Sequence, residues 1–263
     1  VRKFQNIPIR SGAQLDAMRA AGEVACEILM KTSRFIKPGV TTRDVDTYAM
    51  ECMEQMGVRS AFLNYRGYPG HICISLNEEV VHGIPGERVI QPGDIVKIDV
   101  GIIKNGWFGD NAISVPVGLM EPTTHRLLYA TEESLHVAIE HATDGTMLGD
   151  LCASIEECII QHGFRVVREF VGHGVGRKLH EEPQVPNFGK KGQRPRLKEG
   201  MILAIEPMVN AGTAAVRVLE DNWTVVTQDG LPSAHFEHTV LVKKGKAEVL
   251  TWRERQIPKP QGL

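Results

Sequence analysis

The sequence predicts an α+β fold in which a helix–helix–strand unit occurs twice around a sheet. Three observations carry that expectation. Four helix-like patterns alternate with β-rich stretches, and no low-complexity linker divides them. Pro38-Gly39 has a counterpart at Asp144-Gly145, and Gly57-Val58-Arg59 has one at Gly163-Phe164-Arg165, both at an offset of 106. Gly93–Asp99 returns as Gly200–Glu206 at an offset of 107. Each copy ends an apolar strand with an acidic residue six positions after a glycine. A carboxylate there is costly unless it is paired or binds a metal. The two copies therefore imply a site where the halves meet.

The elements follow in order. Ser11 to Ile36 reads as a helix, with Leu15, Met18, Gly22, Ala25 and Leu29 at 3–4 spacing and Lys37-Pro38-Gly39 as its stop. Thr41 to Met56 reads as a second helix, with Thr41 and Asp44 in capping-box spacing and Gly57 as its C-terminal cap. Its stripe of Met50, Met53 and Met56 fits core packing. Two more helices fit Thr123–His141 and Leu148–His162, the latter ended by Gly163. Strands are expected over Ile95–Ile103, Trp107–Val117, Met201–Val209, Trp223–Thr227 and Phe236–Val242.

Composition narrows the function classes. The 263 residues suit one large domain or two small ones at ~150 residues each. A balance of 30 Lys+Arg against 32 Asp+Glu gives no global field for nucleic acid or an anionic membrane. No apolar run approaches the ~20 residues of a membrane span, and no signal architecture opens the chain, so a cytoplasmic location is expected. The five cysteines, Cys26, Cys52, Cys73, Cys152 and Cys158, form no CxxC motif and read as reduced, mostly buried thiols. Any metal site must then be built from histidine and carboxylates.

Asn105-Gly106 is a strong two-residue hairpin signal. That turn sets Lys104 opposite Trp107 and Gly101 opposite Asp110, so Asp99 and Asp110 become diagonal neighbours on one face, ~7–8 Å apart at the backbone. Two carboxylates aimed at one point repel unless a cation lies between them. His173 sits in Gly172-His173-Gly174-Val175-Gly176, which lacks the spacing of a phosphate loop. Glu206 and Glu237 are expected inside strands with apolar surroundings. Two Asp, two Glu and one His suit a pair of Mn, Fe, Co or Zn ions better than one structural zinc.

These residues, with their surrounding strings, resemble the type I methionine aminopeptidases. The strings are Asn77-Glu78 with Val81–Pro85, Gly172–Gly176, His180–Val185, Ile205–Met208 and Phe236–Thr239, in order within about Ile9 to Thr251. The resemblance implies the pita-bread fold: one catalytic domain over 1–263 whose pseudo-symmetric halves, about 12–120 and 121–250, surround a curved antiparallel sheet. It implies that Asp110 and Glu237 bridge two divalent ions (Co, Mn, Fe, Zn or Ni), with Asp99 completing one site and His173 and Glu206 the other. A metal-activated hydroxide would attack the scissile carbonyl. Glu206 would move the proton, His180 would stabilise the oxyanion, and His82 would contact the scissile amide. Phe62, Tyr65, Tyr68, Cys73, His82, His180 and Trp223 would form the substrate site, with Leu179 beside them. A Na or K site near Asn77, Glu79 and Ser233 is also implied.

The activity implied is removal of N-terminal methionine from nascent polypeptides with a small second residue, by a monomer at the ribosome with no nucleic acid or membrane required. A chain without the type II helical insertion or a zinc-finger extension resembles the bacterial or organellar members. A start at Val1 fits removal of a preceding methionine. Gly101 and Asn111 stand where the family commonly has Thr, and His235 where it commonly has Gln. His235 is expected on the strand face of Glu237. The rival readings are a proline-directed peptidase of the same fold, which X-Pro cleavage would reveal, and a non-catalytic binding relative. The second sits poorly with five intact ligands.

Overall fold

The computed structural model describes residues 7–260; Val1 lies outside them. The first half opens with α1 (Ala13–Phe35) and α2 (Thr42–Gln55). Thr41 caps α2 reciprocally: its Oγ1 accepts from the Asp44 amide, and Asp44 Oδ2 accepts from the Thr41 amide. The strands β1 (Arg59–Ser60), β2 (Cys73–Leu76), β3 (Glu79–Val81), β4 (Ile95–Lys104) and β5 (Trp107–Pro116) follow. β4 and β5 pair along their whole length around the Asn105-Gly106 turn, whose φ angles of 51° and 77° are those the hairpin requires. β1 and β2 pair with the other edge of β4.

α1 lies against the back of this hairpin. It buries Met18, Ala21, Ala25, Ile28 and Leu29 there, with burial of each large side chain contributing about 1.5–3 kcal/mol. The approach is closest at Gly109, where an added Cβ would stand 2.5 Å from the Ala21 carbonyl oxygen. With Gly109 turned to the helix, its neighbour Asp110 is turned to the opposite face.

The second half repeats the helix pair as α3 (Pro122–Glu140) and α4 (Leu148–Gln161). Its strands are β6 (Arg165–Val166), β7 (Gly172–Gly174), β8 (Glu181–Val185), β9 (Ile202–Ile205), β10 (Met208–Asn210), β11 (Val216–Val218), β12 (Val225–Thr227), β13 (Ser233–His235), β14 (His238–Leu241) and β15 (Glu248–Val249). They form a five-stranded sheet in the order β15-β14-β9-β7-β8 and a three-stranded one in the order β13-β10-β6, while β12 pairs with β11 on one edge and with β3 on the other.

Three expectations are corrected here. The Met201–Val209 strand is broken at Glu206-Pro207, because proline cannot donate to a ladder. The Phe236–Val242 strand starts late, at His238, with Phe236 and Glu237 between β13 and β14. The breaks face each other: Ile205 pairs with His238 on one side, and Met208 with His235 on the other. One antiparallel pair thus bends at its middle, and both glutamates lie at the bend, not inside strands. Trp223 likewise precedes β12, in a turn whose amides at 223 and 224 donate to Asp221 Oδ1. The halves join along β5, where the Glu237 amide donates to the Ala112 carbonyl and Thr239 Oγ1 to the Asp110 carbonyl.

Candidate active site

The β4–β5 ladder sets Gly101 opposite Asp110 and Asp99 opposite Ala112, which leaves the two aspartates diagonal on one face. β5 then meets the bend of the second half. Donor atoms of Asp110, His173 and Glu237 lie within 4.8 Å of one another. His173 Nε2 is 3.7 Å from Asp110 Oδ2 and 3.6 Å from Glu206 Oε1. Asp99 stands outside that trio, but all five side chains line one cavity of about 1030 Å³.

Four carboxylates withdrawn from water disfavour charge. Burial, reinforced by mutual repulsion, raises the pKa of Asp99, Glu206 and Glu237 well above the usual range, and burial pushes Asp110 up to about 7. Burial pulls His173 down to about 3, which keeps it neutral. Its Nδ1 lies 3.0 Å from the Gly174 carbonyl, which can only accept. The proton therefore sits on Nδ1, and the Nε2 lone pair faces the acids. Asp99 Oδ1, Asp110 Oδ1 and Glu237 Oε1 are buried without a hydrogen-bond partner. Orphaned oxygens beside a neutral imidazole are what a divalent cation satisfies, so the residues fit a metal.

Beside the acids the cavity has an aromatic and apolar wall, with Arg66, Glu169, Lys178 and Glu182 among its other lining residues. Phe62, Tyr65, Tyr68, Cys73, His82, Leu179, His180 and Trp223 all line it. Tyr68 is nearly fully buried, donates to the Gly83 carbonyl and meets Trp223 edge-on at 5.1 Å. Tyr65 Oη and His180 Nδ1 are hydrogen-bonded at 2.8 Å, and the His180 ring stands 4.3 Å from that of His173. His82 has a φ of 60°, a conformation that non-glycine residues rarely adopt, and burial brings its pKa down to about 4. Phe170 and Met208 complete the wall; sequence reasoning passed over both, because an apolar residue carries no chemical signature of its own.

His235 points elsewhere than expected. The bend between β13 and β14 turns it toward Glu206, with Nε2 3.5 Å from Oε2, and that nitrogen is buried without a hydrogen bond. Asn111 is fully buried, and its Nδ2 donates to the Val100 carbonyl. Arg253, beyond the matched motifs, was also missed. Its buried guanidinium donates to the Ala112 and Glu237 carbonyls, and so holds β5 to the bend.

Asn77, Glu79 and Ser233 lie outside the cavity lining. The Asn77 and Ser233 carbonyls accept from the ammonium of Lys97, at 2.8 and 2.9 Å. Glu79 turns away, accepting from the Leu76 amide and from Arg88.

Residues 16–244 match the model of metallopeptidase family M24. Methionine aminopeptidase 1 of Bacillus subtilis is 46% identical over 238 residues, which are 90% of this chain and 96% of that protein. The crystal structure of methionine aminopeptidase from Thermotoga maritima superimposes with a TM-score of 0.92 at 43% identity, covering 94% of this chain and all of that one. Prolidase from Pyrococcus furiosus shares the fold, with a TM-score of 0.77 at 24% identity over 94% of this chain and 66% of that one.

Proposed function

The chain belongs to metallopeptidase family M24, and from that premise we propose a methionine aminopeptidase that uses two divalent ions to release methionine from nascent chains with a small second residue. The convergence of Asp110, His173 and Glu237 at the floor of an aromatic, sulfur-bearing pocket carries this reading. Asp110 and Glu237 would hold both ions, Asp99 one of them, and His173 with Glu206 the other. Divalent ions so held lower the pKa of water toward neutrality and supply a nucleophile.

The protein's own groups do the rest. Glu206, whose pKa is raised well above the usual carboxylate range by burial and then by its acidic neighbours, would accept a proton and return it to the leaving amine. His180, oriented by Tyr65, would steady negative charge developing on the carbonyl oxygen, and His82 would hold the scissile amide. The acidic floor favours a free α-amine, which limits cleavage to the first residue. A long, unbranched thioether fits between Tyr68, Cys73 and Trp223, whereas a branched side chain meets the wall. Action in the cytoplasm at the ribosome, as a monomer, completes the proposal. The peptidase reading is supported by the relatives named methionine aminopeptidase; among the described residues no helix is long and apolar enough to cross a membrane.

The test compares kcat/KM for Met-Ala-, Leu-Ala-, Met-Lys- and N-acetyl-Met-Ala- peptides at fixed metal. Met-Ala- should exceed Leu-Ala- by about 10–200-fold, the value of one misplaced methyl group. It should exceed the other two by more. Comparable values for all four would refute the assignment.

A further inference from the structure

Lys97 lies on β4, two residues before Asp99 and therefore on the same face of the hairpin. It is 2% exposed, and among the described residues no carboxylate lies within ion-pair distance of it. Its ammonium instead donates to two backbone oxygens, the Asn77 carbonyl at 2.8 Å and the Ser233 carbonyl at 2.9 Å. Those oxygens come from different halves of the chain. The seat is built from the backbone outward. Asn77 has a φ of 50°, its side chain is fixed by Asp94 Oδ1 and the Ile95 amide, and its carbonyl also accepts from the Ser233 amide. Carbonyl oxygens converging on one buried point form a seat for a cation, and a lysine ammonium is a cation on a four-carbon stem.

We infer that Lys97 is a tethered cation: its ammonium fills a monovalent-ion seat between the Asn77 and Ser233 carbonyls, so the protein needs no Na or K there. The tether has two consequences. It fastens the turn at Asn77 to the start of β13, the strand that leads into Glu237. It also sets a positive charge one step along β4 from Asp99, on the hairpin face that carries Asp99 and Asp110. Lys97 is a positioning residue by this account, because it touches the frame of the site and not a reacting atom. The inference requires no particular substrate, and its failure would leave the assigned activity untouched.

The experiment measures melting temperature in chloride salts of sodium, potassium and choline at equal ionic strength. The unaltered protein should melt at the same temperature in all three. Lys97→Ala should melt about 5 °C or more lower in choline. It should regain much of that loss in sodium, in potassium, or with n-propylammonium, the fragment that the substitution removes. Lys97→Met, which keeps the stem without the charge, should be destabilised and gain nothing from any of them. Stabilisation of the unaltered protein specifically by sodium or potassium would overturn the inference, as would Lys97→Met melting with it. Lys97→Ala that folds but responds to no cation would do the same. If neither variant folds, the salt series on the unaltered protein alone decides.

Discussion

The two antiparallel pairs that carry the acidic residues are built differently. β4 and β5 run ten residues each without a break, and the shorter Asp99 and Asp110 project from a regular ladder. The equivalent pair in the second half is interrupted at Glu206-Pro207 and Phe236-Glu237, and its carboxylates stand at the bend on longer side chains. Where β4 and β5 are joined by a two-residue turn, β10 and β13 are separated by residues 211–232, which include Trp223 of the pocket. His173 and His180 also come from the second half. The first half thus acts as a rigid platform for charge. The second, with its breaks and long excursions, brings His173, His180 and the Trp223 indole, which share the cavity with His82 and the wall of Phe62, Tyr65, Tyr68 and Cys73 from the first half.

That division is broken or sharpened most strongly by paired amide substitutions. Asp99→Asn removes one ligand charge, whereas Glu206→Gln removes a ligand charge and the proton acceptor together. With metal content verified for each, Glu206→Gln should lower kcat by ~10⁴-fold, at the upper end of what general acid–base catalysis supplies. Asp99→Asn should lower it less. An Asp99→Asn protein as inactive as Glu206→Gln at equal metal content would place chemistry in both halves equally, and near-native activity in Glu206→Gln would remove the general base.

Metal linkage gives a middle-sized effect. In the metal-free protein Asp110 holds its proton up to about pH 7, and Asp99, Glu206 and Glu237 hold theirs well above the usual range, all chiefly because they are buried. A divalent ion must displace those protons, while His173 is neutral throughout and has none to release. Metal binding therefore competes with protons, at about 1.4 kcal/mol for each proton and pH unit. The rise in melting temperature on adding Mn or Co should be small at pH 5 and grow through pH 8. An increment that is flat or falls with pH would show that these carboxylates are ionised before metal arrives.

Legibility in the sequence follows the same divide. The regular half is the more legible: Asn105-Gly106 names its turn, alternation sets Asp99 and Asp110 on one face, and Thr41 with Asp44 marks a helix start, although the short β1, β2 and β3 carry no pattern that announces them. The interrupted half could be read for composition but not for geometry. Alternation carried across Pro207 places Glu206 inside a strand, and carried across Phe236-Glu237 it sets His235 beside Glu237, whereas the bend turns His235 to Glu206. Short strands such as β7 and β8 are too brief for periodicity to announce. Lys97 and Arg253 act through backbone carbonyls that only the folded chain brings to them, so nothing local in the sequence marks either.

The smallest effect is expected where the platform meets the pocket. Gly101 faces the site opposite Asp110, and the Phe62 ring lies directly over it: an added Cβ would stand 2.5 Å from Phe62 Cε1 and 3.1 Å from the Ala61 Cβ. The family's usual Thr cannot fit beneath that ring, so Gly101 and Phe62 act as a matched pair. Gly101→Ala should push the ring from its buried place among Tyr65, Tyr68 and Leu179 at an overpacking cost of about 1–3 kcal/mol. Because Phe62 lines the pocket and touches no proposed ligand position, KM for Met-Ala- peptides should rise about 3–10-fold with kcat nearly unchanged, the mark of lost uniform binding. A double-mutant cycle isolates the cause, since Gly101→Ala should cost little stability once Phe62→Ala has removed the ring. Additive losses would show that the strain falls on β4 itself, and then the platform, not the pocket wall, requires the glycine.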